Sequence, residues 1–168
     1  MKRRMTIWPW MMILLMIGSV LWMMNRLSRQ VHQASHCKEN LEKIYHILTL
    51  YEVEHGQLPS FELFPEDPLE DAESLPMILK SYGLDLTRAT CPSSPNVLRE
   101  YGVSYLWNTA LNHDSLTNRH EPTWVLVDMQ ALDDRLPGPH FGGYHILYTD
   151  GRVERTPHPP HSLPVQFD

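Results

Sequence analysis

Charge is missing from residues 5–24, a run broken only by Thr6, Pro9, Gly18 and Ser19. That absence excludes an ordinary solvated helix, because twenty apolar residues just cross a hydrocarbon core of about 30 Å. Gly and Pro are missing between residues 25 and 55, so nothing ends the helix where the apolar run stops. Basic residues are scarce further on. Five of the fourteen Lys and Arg lie at positions 2 to 29, which leaves nine against twenty Asp and Glu in residues 30–168. So acidic a region argues against nucleic acid as a partner and against a second membrane-surface patch. Cysteine is limited to Cys37 and Cys91, too few for a disulfide-dense scaffold.

Several catalytic signatures are missing as well. Ser93, Ser94, Ser104 and Ser115 lie outside any G-x-S-x-G setting, and neither cysteine has an activating neighbour in the sequence. No Gly-rich loop opens a helix, which removes phosphate cradling. H-E-x-x-H and the EF-hand spacing are also absent. An anchored hydrolase is therefore the weakest of the functional readings.

The N-terminus reads as a membrane anchor. Leu21-Trp22-Met23-Met24 followed by Asn25 and Arg26 is poor cleavage chemistry for a signal peptide, which favours an uncleaved span. Lys2, Arg3 and Arg4 precede the run, so residues 1–4 are expected in the cytoplasm, residues 5–24 in the bilayer and the rest outside. Trp8, Trp10 and Trp22 sit near the ends of the run, where indole rings favour the interface. The predicted location is a bacterial inner membrane, single-pass, with a periplasmic C-terminal domain.

From Leu27 an apolar stripe continues through Val31, Ala34, Cys37, Leu41, Ile44, Leu48 and Tyr51, one face of a helix over residues 25–55. Gly56 and Pro59 end it. Residues 56–96 read as a loop region with a short helix over 72–82 closed by Gly83. An antiparallel sheet is expected over 97–156, with strands at 101–108, 123–129, 144–149 and 152–156. Asp150-Gly151 between the last two predicts a type I′ turn. Residues 157–168 are a Pro- and His-rich tail whose His158 and His161 are expected in solvent. The fold class is α+β: a long helix, transmembrane then amphipathic, packed by a small antiparallel head over residues 25–156.

This order of motifs resembles the type IV pilins and type II secretion pseudopilins. Cys37-Lys38-Glu39-Asn40-Leu41-Glu42-Lys43-Ile44, then Tyr51 and His55-Gly56-Gln57-Leu58-Pro59, is similar to the C-x-x-N-L-x-x-I…Y…G-x-x-P stretch of pilin-like proteins. Cys91-Pro92-Ser93 matches their C-P-S turn. His140, nine residues, then Asp150-Gly151 matches the H-x(9)-D-G motif of the prepilin-type processing-associated family. The resemblance spans residues 5–156. It implies a pilin-like fold and a non-enzymatic component or accessory of a type II secretion or type IV pilus-like assembly, with other pilin-like or secretion subunits as partners. The chain departs from the family in two places: no Gly precedes the apolar run, and no Glu interrupts it. Prepilin peptidase is then expected to find nothing to cut, and the Glu that pairs with a neighbouring N-terminus during filament growth is missing.

The competing reading is a monomeric anchored module that binds a ligand, a metal or an envelope polymer. His140 and His145, with Asp128, Asp133, Asp134 and Asp150, supply nitrogen and oxygen donors over a short stretch. The architectural account is favoured, with His140 fastening a Gly-Pro loop and Asp150-Gly151 turning a hairpin. No cofactor is expected. Cys37 and Cys91 both fall on the outer side, where a disulfide between them is expected and two buried thiols are the alternative. Tyr101, Tyr105, Trp107 and Trp124 are read as core rather than as a binding face.

Overall fold

The computed structural model describes residues 8–63, 65–85, 90–118, 120–133, 138–161 and 163. The expected cytoplasmic flank at 1–4 and Asp134 lie outside them. Helix α1 runs from Trp8 to His55, 48 residues without interruption, or about 72 Å at 1.5 Å per residue. It is long and apolar enough to cross a membrane, and its apolar window is bare of protein contacts.

Two short helices follow, α2 (Leu75–Ser81) and α3 (Asn96–Glu100). Then come β1 (Tyr105–Trp107), β2 (Trp124–Asp128), β3 (Tyr144–Tyr148) and β4 (Val153–Thr156). The strands form one antiparallel sheet in the order β1-β2-β3-β4. One long helix against a small antiparallel sheet is the α+β layout that the sequence predicts.

Two elements are shorter than expected, each for a local reason. Ser74 caps α2 by accepting from the Met77 N–H, and Pro76 occupies the first turn, so the helix cannot begin at 72. Tyr101 closes α3, and Gly102 turns the chain at φ +73, so β1 starts four residues later than the aromatic alternation suggests. Tyr101 is consequently exposed, whereas Tyr105, Trp107 and Trp124 are core.

The sheet buries both faces. Towards α1 lie Tyr105, Trp107, Val125, Leu126 and Leu147, packed with Cys37, Leu41, Ile44 and Leu48. Away from it lie Leu106, Trp124, Val127, Tyr144 and Ile146. A register shift between Trp124 and Leu126 places Val125 and Leu126 on the same side, as a β-bulge does. The top of α1 is tied to loops: Glu52 accepts from Ser115 and from the Leu116 N–H, and Tyr82 donates to Glu54.

The helix-packing face needs correction at its lower end. Leu41, Ile44 and Leu48 are fully buried and Tyr51 is half-buried, but Leu27 and Val31 are 52% and 55% exposed. Ala34 is half-buried, and full burial of the stripe begins at Cys37.

The type I′ geometry expected at Asp150-Gly151 is found at another turn. Tyr148 N–H donates to Arg152 O, and Gly151 N–H donates back to Tyr148 O, so Thr149-Asp150-Gly151 is a three-residue loop ending in Gly151 at φ +82. That is a type I turn with a G1 bulge, not the type I′ turn expected there. The type I′ geometry falls instead on Phe141-Gly142, at φ +53 and +75, between His140 and Gly143, which exchange backbone hydrogen bonds of 3.1 and 3.0 Å.

Candidate functional site

Where α1 first meets the sheet, four segments bring reactive side chains together. Cys37 comes from α1, Asp128 from the end of β2, His145 from β3 and His140 from the turn before it. One donor atom from each lies within 4.8 Å of the other three, and all four residues are buried. Cys91 joins them from the Cys-Pro-Ser turn, its Sγ 3.2 Å from His140 Nε2. That turn is held on α1 by Asn40, whose Nδ2 donates to Thr90 O at 2.9 Å, and is closed by Ser94 N–H donating to Cys91 O.

Asp128 is the hub. Its Oδ2 accepts from the His145 backbone N–H at 2.7 Å and lies 3.5 Å from His140 Nε2. Its Oδ1 accepts from Cys37 Sγ at 3.6 Å. Tyr105 OH sits 3.2 Å from Cys37 Sγ, and the His140 and His145 rings are 4.2 Å apart.

The protonation pattern follows from these contacts. Burial pushes the Cys37 thiol well above the usual range. The hydrogen bond from Cys37 pulls Cys91 down to about 6 against the opposing effect of burial, and His140 adds to the pull. Burial disfavours a charged His140, but Asp128 and Cys91 outweigh it and raise the ring to about 9. Burial and the His140 charge lower His145 to about 4. These shifts favour the ionised forms of Cys91 and His140 and the neutral forms of Cys37 and His145.

This arrangement is not a nucleophile–base–acid relay. His140 meets both Cys91 and Asp128 through Nε2, and its buried Nδ1 has no hydrogen-bond partner among the described residues. A relay needs the nucleophile on one ring nitrogen and the orienting acid on the other. Cys91 is moreover fully buried.

Of the residues singled out from the sequence, Cys37, Cys91, His140 and His145 converge here. Cys37 and Cys91 are both free thiols, with no S–S bond between them. Asp150 goes elsewhere. It sits exposed at the hairpin tip, accepts from the Arg152 N–H at 3.1 Å and pairs with the Arg152 side chain at 3.6 Å. The two halves of the H-x(9)-D-G motif thus serve different ends of one contact. His140 joins the cluster beside Cys37, while Gly151 lies against Tyr45, about 12 Å further along α1. A Cβ on Gly151 would meet Tyr45 Cε1 at 2.7 Å, and Tyr45 OH donates to Thr149 O at 3.2 Å.

In the sequence Tyr105 stood only as a core aromatic, Asn40 only as part of the stretch that follows Cys37, and Asp128 only as one of several acids. The available signal was Trp124-Val125-Leu126-Val127-Asp128, a carboxylate closing an otherwise apolar and wholly buried strand. Such an acid needs partners. Comparison of the chain with family models, with curated proteins and with solved structures finds no match.

Proposed function

We propose that this protein is a membrane-anchored, pilin-like subunit, a pseudopilin-like component or accessory of a type II secretion or type IV pilus-like assembly. The observation that carries this reading is the bare lower half of α1. The apolar side chains over residues 10–31 are exposed, and Leu27 and Val31 lie beyond the twenty residues that a bilayer needs. Lipid accounts for the first part of that surface, and packing against neighbouring helices accounts for both parts. The ordered motifs at Cys37, Cys91, His140 and Asp150-Gly151 support the same family. The apolar run lacks the Glu used in filament growth, which fits an accessory better than a major subunit. In this reading the anchor lies in a bacterial inner membrane with residues 1–4 in the cytoplasm and the head in the periplasm.

A photo-crosslinking amino acid placed at each position from 16 to 24 tests this in membranes that carry the native neighbouring genes. It leaves Cys37 and Cys91 untouched. A ladder of crosslinked species recurring with helical period is expected. Monomer at every position would overturn the assembly reading. The second reading, a monomeric anchored binding module, is favoured by one observation, the buried Cys, His and Asp cluster.

A further inference from the structure

The cluster between α1 and the sheet has the shape of a closed metal centre. We propose that Cys37 Sγ, Cys91 Sγ, His140 Nε2 and the Asp128 carboxylate hold one zinc-class divalent ion that fastens α1 to the sheet and to the Cys-Pro-Ser turn.

The spacing carries the inference. Tetrahedral bonds of about 2.0 Å to nitrogen or oxygen and 2.3 Å to sulfur set donor atoms about 3.3 to 3.8 Å apart. Cys91 Sγ and His140 Nε2 are separated by 3.2 Å, His140 Nε2 and Asp128 Oδ2 by 3.5 Å, and Cys37 Sγ and Asp128 Oδ1 by 3.6 Å. The Asp128 carboxylate thus bridges His140 through Oδ2 and Cys37 through Oδ1, and Cys91 reaches the group through His140, so closing on an ion needs one carboxylate oxygen to turn inward. Four segments distant in sequence bring these donors into one buried place.

Donor chemistry selects the ion. Two sulfurs, one imidazole nitrogen and one carboxylate suit zinc, whereas calcium and magnesium require shells of six or more oxygens. Supporting contacts are present as well. The His145 backbone N–H holds Asp128 Oδ2, the His140–Gly143 pair fixes the His140 backbone, and Tyr105 OH lies on Cys37 Sγ. The His145 ring lies beside His140 at a tilt of 47°, and its buried Nδ1 has no hydrogen-bond partner among the described residues, so it stands as a reserve donor. Burial of every ligand leaves no open position for substrate, which makes the ion structural. Binding displaces the Cys37 thiol proton and the His140 imidazolium proton and requires no oxidant or reductant.

The inference does not depend on whether chains assemble, and its test uses isolated protein. The full chain is purified in mild detergent under reducing conditions from zinc-replete cells, and bound metal is counted by mass spectrometry. One zinc per chain is expected, both in the native sequence and in His36→Gln. The latter removes the exposed His32–His36 pair, whose Nε2 atoms lie 3.3 Å apart and offer an adventitious site. Reloading with Co²⁺ should give the intense visible bands of a tetrahedral ion and a near-ultraviolet thiolate-to-cobalt band. Cys91→Ser should roughly halve the thiolate band and weaken binding by at least about tenfold, while Asp150→Asn should change neither. Should Cys91→Ser fail to fold, the cobalt spectrum of the native chain decides alone. A chain without stoichiometric metal, metal that is lost with His36→Gln, or weak octahedral cobalt bands would each overturn the proposal. So would a Cys37–Cys91 disulfide found in membranes alkylated before reduction.

Discussion

The two halves of α1 share one apolar periodicity and meet opposite fates. Above Cys37 the stripe is sealed: Leu41, Ile44 and Leu48 have no exposed surface. Below it the same spacing leaves Leu27 and Val31 more than half exposed. Periodicity states which face is greasy but not what covers it. The upper half is covered by this chain's own sheet, and the lower half awaits lipid or another molecule. Each fully buried aliphatic side chain in the upper half contributes about 1.5 to 3 kcal/mol by leaving water, a stabilisation that the lower half does not give an isolated chain.

The largest contrast should come from truncating one leucine in each half. Leu41→Ala is expected to destabilise the head by about 2 to 5 kcal/mol, as removing a buried leucine generally does. Leu21→Ala should stay within about 0.5 kcal/mol, since Leu21 is exposed. Urea unfolding in detergent, followed by tryptophan fluorescence, reads both, because Trp107 and Trp124 are buried in the head. Equal shifts would erase the distinction between the halves.

A smaller effect probes how closely the hairpin approaches the upper half. Gly151→Ala must hold an L-residue at φ +82, worth about 1 to 2 kcal/mol, and must also push its Cβ into Tyr45. In a Tyr45→Ala background the collision disappears and the backbone strain remains. The cost of Gly151→Ala should therefore fall by about 1 kcal/mol in that background, a coupling that a double-mutant cycle measures. An identical cost in both backgrounds would show that Tyr45 is not what Gly151 accommodates.

The long helix was legible because two local signals agreed, an unbroken stretch without Gly or Pro and a repeating apolar stripe. The last hairpin was legible from Asp150-Gly151, but its turn type was not. Turn type depends on which residues pair across it, and pairing of Tyr148 with Arg152 leaves three residues in the loop. The type I′ turn landed on Phe141-Gly142 because His140 pairs with Gly143, a bridge that no local signal near Phe141 announces. Cys37, Cys91 and His140 could each be picked from a motif. Their meeting could not, since Asp128, the group that joins them, takes its place only once β2 lies between β1 and β3. Asp150 looked like a partner of His140 in sequence, but β3 separates the two along the chain, and Asp150 ends in solvent with Arg152.

The smallest expected effect on stability is the most informative about what covers the lower half. Val31 is 55% exposed, and a charge there meets solvent in an isolated chain. Val31→Asp should leave head unfolding within about 0.5 kcal/mol of the parent. In native membranes the same change puts a carboxylate into any helix–helix contact that includes the Leu27 and Val31 stripe, where burying an unpaired charge is strongly unfavourable. The crosslinking ladder from positions 16 to 24 should then weaken or vanish although the head remains intact. A ladder that survives Val31→Asp would place the contact wholly within the bilayer and leave Leu27 and Val31 outside it. A head destabilised by Val31→Asp would show that the sealed half of α1 extends below Cys37, and the contrast between the halves would have to be redrawn at that point.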